Sequence, residues 1–281
     1  MRRIRHRTRG RGPHRLAPSM TEKNERFPSG WQAALLIIAV FVIEVVASAL
    51  LGGGEGPWAL APDELSTIAA VLGNGAVLVF AMQIKGLGYR QLFHASPASA
   101  NATFFLLLAP ILMLIPALVW LLSATTEWLV ELMPLSAPEE TLFEGMTALT
   151  LPAILTVCVL APVLEEMLFR GVILRGFLHR YPRWVAIVFS AMLFGAAHLN
   201  IYQFTVATVL GVLAGWLYER TRSLLPCIVL HAAYNTALMV LQAMGAGEDG
   251  ATSTPPWFWA AVLILGGLGL YLLKRLLTPP R

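Results

Sequence analysis

Two adjacent carboxylates, Glu165 and Glu166, interrupt an apolar run that reads Ala161-Pro162-Val163-Leu164-Glu165-Glu166-Met167-Leu168-Phe169-Arg170. Two further polar positions, His198 and the pair His231/Asn235, fall in two other apolar segments. Ionisable groups at bilayer depth are costly and mark function by default. The chemistry this set could do is hydrolysis. Peptide hydrolysis needs an activated water, a stabilised oxyanion and a proton for the leaving amine. A carboxylate withdrawn from water is a stronger base, which suits a general base near neutrality. A histidine beside it can orient the same water, and a histidine and an asparagine opposite can donate to an oxyanion. The same groups could instead hold a divalent ion. Glu165, His198 and His231 are ordinary zinc ligands, and zinc would itself acidify a bound water. No His-Glu-x-x-His run is present, so the usual arrangement of a zinc protease is absent.

Spacing assigns these residues to faces. Glu166 and Arg170 are four apart, so on a helix they pair, and the cation holds Glu166 ionised. Glu165 then points about 100° away and stays free for chemistry. His231 and Asn235 share a face by the same spacing, as do Phe194 and His198. Each feature has a structural reading as well: an ion pair, a core histidine, an interhelical hydrogen-bond pair. An ion pair with Arg170 accounts for one glutamate and leaves the second without a partner. Glu44, in the first apolar segment, reads as a cavity-lining or structural residue.

The elements that must position these groups are membrane spans. The chain has 281 residues, 57% hydrophobic and 13% charged, with a mean hydropathy of +0.68; a soluble domain carries about 25% charged residues. A span needs about 20 apolar residues. Eight segments qualify: Trp31–Leu51, Leu65–Ile84, Thr103–Ser123, Thr147–Leu164 with a helical extension towards His179, Arg183–Leu199, Gln203–Glu219, Leu224–Ala243 and Trp257–Leu273. The fold expected is all-α and polytopic, with catalytic residues on the fourth, fifth and seventh helices. Counting up from the basic ends, Glu165 and His198 lie roughly 20 Å into the membrane and His231 and Asn235 about 10 and 16 Å.

All 20 Lys and Arg fall in alternate connecting segments, and the intervening loops hold only acids. The positive-inside bias therefore puts both termini in the cytoplasm, in a multi-pass protein assigned to the plasma membrane. Residues 1–28 read as a disordered basic arm or as an over-long translation start with Met20 as the real first residue, with an anionic-lipid or nucleic-acid contact as the sharper reading, and residues 29–281 read as the transmembrane domain. No nucleic-acid partner is expected, because the charge is not spread over a folded surface. Cys158 and Cys227 read as small buried hydrophobes. Gly211 and Gly215 make a small-residue face for close helix packing.

Glu165-Glu166-x-x-x-Arg170, Phe194-x-x-x-His198 and His231-x-x-x-Asn235, in that order, resemble the three-motif signature of the CAAX-protease and bacteriocin-processing (CPBP/Abi) family of intramembrane endopeptidases, which includes the type II CAAX prenyl endopeptidases. The resemblance covers a protease-like core of about residues 149–243. It implies that Glu165 is the catalytic carboxylate, His198 its partner in activating water, and His231 and Asn235 oxyanion or metal-site residues. Glu166, Arg170 and Phe194 are then supporting residues. Both metal-dependent and metal-free glutamate mechanisms are described for the family, so zinc stays open. The implied substrate is a membrane-associated peptide, prenylated or bacteriocin-like, entering laterally or from the cytoplasmic side. The competing classes are a membrane scaffold or binding protein and a proton-linked transporter. A transporter predicts paired repeats, and no internal symmetry is evident.

Overall fold

A computed structural model describes residues 24–52, 59–245 and 255–278, and all of their regular structure is helical. Ten helices follow in order: α1 (Gly30–Leu51), α2 (Pro62–Lys85), α3 (Tyr89–Phe93), α4 (Ala100–Leu132), α5 (Ala137–Thr147), α6 (Leu151–Leu178), α7 (Arg183–Ala196), α8 (Ile201–Thr221), α9 (Leu225–Ala243) and α10 (Pro256–Leu277). Their starts follow local chemistry. Proline, which gives up no needed hydrogen bond there, stands in the first turn of α2, α5, α6, α9 and α10. Asn200 caps α8 by accepting from the Gln203 N–H at 2.8 Å. Gly86, at φ +62°, closes α2 in a left-handed turn.

Among the described residues seven helices are long and apolar enough to span a bilayer: α1, α2, α4, α6, α8, α9 and α10. The protein is thus an all-α polytopic membrane protein. The expected fifth span differs from the rest. It is the 14-residue α7, about 21 Å long at 1.5 Å per residue. It stops at Ala196, and Leu199 turns the chain at φ +58°.

Contacts sort the connections into two ends. At one end Lys85 donates to the carbonyls of Asn24, Glu25 and Phe27. Arg175 donates to Gln91 O at 2.9 Å, and the Leu224 N–H donates to Phe93 O at 2.8 Å. Arg183 pairs with Glu219 at 2.9 Å. At the other end Thr150 donates to Asp63 at 2.6 Å, and Tyr202 donates to Met133 O. The first end carries the basic segments, the second the acidic ones.

Four expectations change. Arg170 does not belong to a basic connection: it is 1% exposed within α6. The third span runs on to Leu132, so Thr126 and Glu127 are helical. A separate helix, α5, fills what read as an acidic loop. Of the expected basic arm, residues 24–28 are described, and their carbonyls are held by Lys85 and Arg180. The rest of that arm, and Met20, lie outside the described residues.

Candidate active site

α6 presents the glutamates from a short α-helical segment, Ala161–Glu166, set between two π-helical stretches, Thr156–Leu160 and Met167–Leu174. Such wide turns recur at functional sites. The first has a consequence readable from residue chemistry. The Ala161 N–H reaches back five residues to Thr156 O. The next donor in that pattern belongs to residue 162, which is proline and has none. Val157 O is therefore left without its helical donor. Asn235 supplies one from α9, its Nδ2 lying 2.9 Å from Val157 O. A second hydrogen on that nitrogen is left to serve another acceptor.

The two glutamates divide as their spacing requires. Glu166 is 1% exposed, and its Oε1 accepts from Arg170 Nη1 at 2.8 Å and from His231 Nδ1 at 3.1 Å. The guanidinium of Arg170 also lies 4.5 Å over the Phe194 ring. Glu165 has a side chain 26% exposed, and its Oε2 stands 3.9 Å from His231 Nε2, beyond direct hydrogen bonding. Glu166 is bound up in structure, and Glu165 faces open space.

His198 lies in the turn after α7, not on the helix. Its Nδ1 is 2.9 Å from Phe194 O. A carbonyl only accepts, so Nδ1 carries the hydrogen and Nε2 keeps its lone pair in the neutral ring. Asn200 Nδ2 donates to His198 O at 2.9 Å and so fixes this turn from the other side. The sequence had assigned Asn200 no role; it both caps α8 and holds His198. Phe194 packs edge-on at the centre, 5.2 Å from the His198 ring and 5.7 Å from the His231 ring.

Glu165, His198, His231, Asn235 and Phe194 all line one cavity of about 430 Å³. A second, of about 140 Å³, reaches Glu165 and His198 from the side of α1 and α2, where Glu44 and Asn74 line it. Asn74 Nδ2 donates to Glu44 Oε1 at 3.2 Å. Gly73 permits this approach, because a Cβ there would stand 2.6 Å from Glu44 Cγ. Asn74 was missed in the sequence, although a lone amide in an apolar span was a signal of the same kind as Glu44.

The main cavity extends towards the acidic end, where Ser123, Glu127, Phe143 and Gln203 line it. No residue of the basic connections lines it. A buried layer that includes Phe169, Arg170, Ile173 and Phe177 lies on that side of the site. Among the described residues, no three His, Cys, Asp or Glu side chains converge at metal-holding distances.

Residues 147–237 match the family model described as type II CAAX prenyl endopeptidase Rce1-like. Over 84 residues the chain is 27% identical to a Bacillus subtilis (strain 168) protein named "Putative membrane peptidase YdiL", a stretch that is 30% of this chain and 34% of that protein. The chain thus spans about a third of the length of the curated relative it matches. No solved structure matches it. The two matches support a CAAX/CPBP protease family, the one that the three motifs resemble, and residues 147–237, matched by the family model, contain all seven motif residues.

Proposed function

We propose that the protein is an intramembrane endopeptidase that hydrolyses a peptide bond of a membrane-associated substrate, with Glu165 as the general base. The observation that carries this reading is the convergence of Glu165, His198, His231 and Asn235, from three separate parts of the chain, on one cavity among apolar helices. Glu165 takes a proton from a water that also donates to Nε2 of His198. The water oxygen bonds to the scissile carbonyl carbon, and the carbonyl oxygen becomes an oxyanion. The free amide hydrogen of Asn235 donates to that oxyanion, as does His231 Nε2 when it carries a proton. Glu165 then passes its proton to the amine as the C–N bond breaks. Glu166 and Arg170 hold His231 in place and take no part in proton transfer. No step in this mechanism runs through a metal.

The test compares wild type with Glu165→Gln in liposomes against membrane-peptide substrates. Prenylated C-terminal peptides belong in that panel because the matching family is described as a CAAX prenyl endopeptidase. Removing the base is expected to lower kcat by about 10²–10⁴-fold while the folded fraction is unchanged. A chelator arm addresses zinc: activity that is lost with chelator and restored by zinc would replace the metal-free mechanism. A scaffold would keep its cellular function in the Glu165→Gln variant, and that result would end the protease reading.

A further inference from the structure

The direction of the cavity carries a conclusion about what can enter it, and this conclusion rests on the proposed site. Glu165 lies 14 residues after Leu151, about 20 Å along α6 from the acidic end of the bundle, and Val157 and Ala161 line the cavity above it. Its outer part is lined by Ser123 and Glu127 of α4, Phe143 and Met146 of α5, and Gln203 of α8. Glu127 is exposed there. The opposite way out is closed. Below the site Phe169 and Phe194 stack edge-on at 4.9 Å, and Arg170 lies over Phe194 at 4.5 Å. Beneath them Val172, Ile173, Leu174 and Phe177 are wholly buried. A peptide from the basic side would have to displace the centre of the hydrophobic core.

The charge around the open end is of one sign. No Lys or Arg occurs between Arg90 and Arg170, the stretch that contains α4 and α5. That stretch carries Glu127, Glu131, Glu139, Glu140 and Glu144. Glu139 is spent locally: it accepts from Ser136, which holds its carboxyl below the usual range, and so stays charged. A low-dielectric cleft rimmed by one sign of charge concentrates ions of the other.

We propose that the site draws its substrate from the side of the membrane opposite the basic segments, through the mouth between α4, α5 and α8, and that it favours peptide segments with positive charge beside an apolar stretch. By the positive-inside bias that side faces away from the cytoplasm. The apolar stretch fits the walls formed by Val206, Leu210 and Leu238, and the cationic flank meets Glu127 at the rim.

The test needs no proteolysis, so it can fail independently of the protease reading. In the full chain with Cys158→Ala and Cys227→Ala, one cysteine is placed deep in the cavity (Leu238→Cys) and, in a second variant, near its mouth (Ser123→Cys). Oriented vesicles are treated with membrane-impermeant methanethiosulfonates, one bearing a trimethylammonium and one a sulfonate. Ser96→Cys, in a basic connection, reports the other side. Both cavity cysteines are expected to react from the side opposite Ser96→Cys. The ratio of cationic to anionic reagent rates should exceed that of a free thiol in solution by about tenfold, and Glu127→Gln should reduce that excess. Reaction of Leu238→Cys from the Ser96→Cys side would overturn the direction. A rate ratio no higher than that of a free thiol would overturn the charge preference. If Leu238→Cys does not fold, Ser123→Cys decides both points.

Discussion

At the residue scale Glu166 and Arg170 make the clearest energetic statement. Both are 1% exposed and joined at 2.8 Å. A buried pair of this kind adds little over a well-packed apolar substitute, but removing one partner strands the other charge. Arg170→Met is therefore expected to lower stability by about 3–5 kcal/mol, read as a loss of thermal stability in detergent. Glu166→Gln added to Arg170→Met removes the stranded charge and keeps an acceptor for His231 Nδ1, so the double variant should recover part of the loss. If it were no more stable than Arg170→Met, the pair would not be the cause. The spacing Glu166-x-x-x-Arg170 made this bond readable from the sequence, as i,i+4 neighbours share a helix face. The bond from Asn235 to Val157 was not read, although its cause is local: Pro162 withholds a donor inside an apolar helix, and some polar group had to replace it.

At the scale of elements, the site depends on how closely α8 approaches α6 and α7. Gly211 is the point of approach. A Cβ there would stand 2.9 Å from Ala191 Cβ and 3.3 Å from Arg170 Nη2. Gly211→Ala should cost about 1–3 kcal/mol by overpacking and should lower activity by moving Arg170. Gly267→Ala is the control, since nothing lies within 4 Å of its Cβ; it should be neutral or gain up to about 1 kcal/mol from helix propensity. Thermal melts and turnover of the two variants, side by side, check both. The small-residue spacing pointed to this close packing in advance. Other features of the elements had no such mark. Residues 197–199 read Ala-His-Leu, which continues the apolar pattern of α7, so hydropathy extended that helix through a turn set by Leu199 at φ +58°. The π-helical stretches of α6 keep an apolar composition and differ only in hydrogen-bond register, which no residue count reveals. α4 runs past its apolar segment through Thr125, Thr126 and Glu127 because a helix needs no apolar side chains where it leaves the bilayer.

For the whole molecule the question is whether α7 counts as a crossing. Seven crossings would put the two termini on opposite sides, and eight would put them on the same side. Arg183, at the start of α7, pairs with Glu219 near the end of α8, so the two helices leave from one end and return to it. Asn200, between them, caps α8 at the end where Tyr202 reaches Met133 O. The short helix and its turn together thus carry the chain from the basic end to the acidic one. α10 closes the count. A Cβ on Gly269 would meet Pro110 O and one on Gly266 would meet Ala117. Later residues of α10 thus face earlier residues of α4, and the two helices run antiparallel. The end of α10 thus returns to the end of the bundle where α4 begins. Reporters fused after Arg281 and before Met1 should therefore mark the same face, which the charge bias assigns to the cytoplasm. A reporter inserted after Asn200 should mark the opposite face. Terminal reporters on opposite faces would mean that α7 does not cross, and the acidic mouth of the cavity would then have no single side of the membrane from which to draw a substrate.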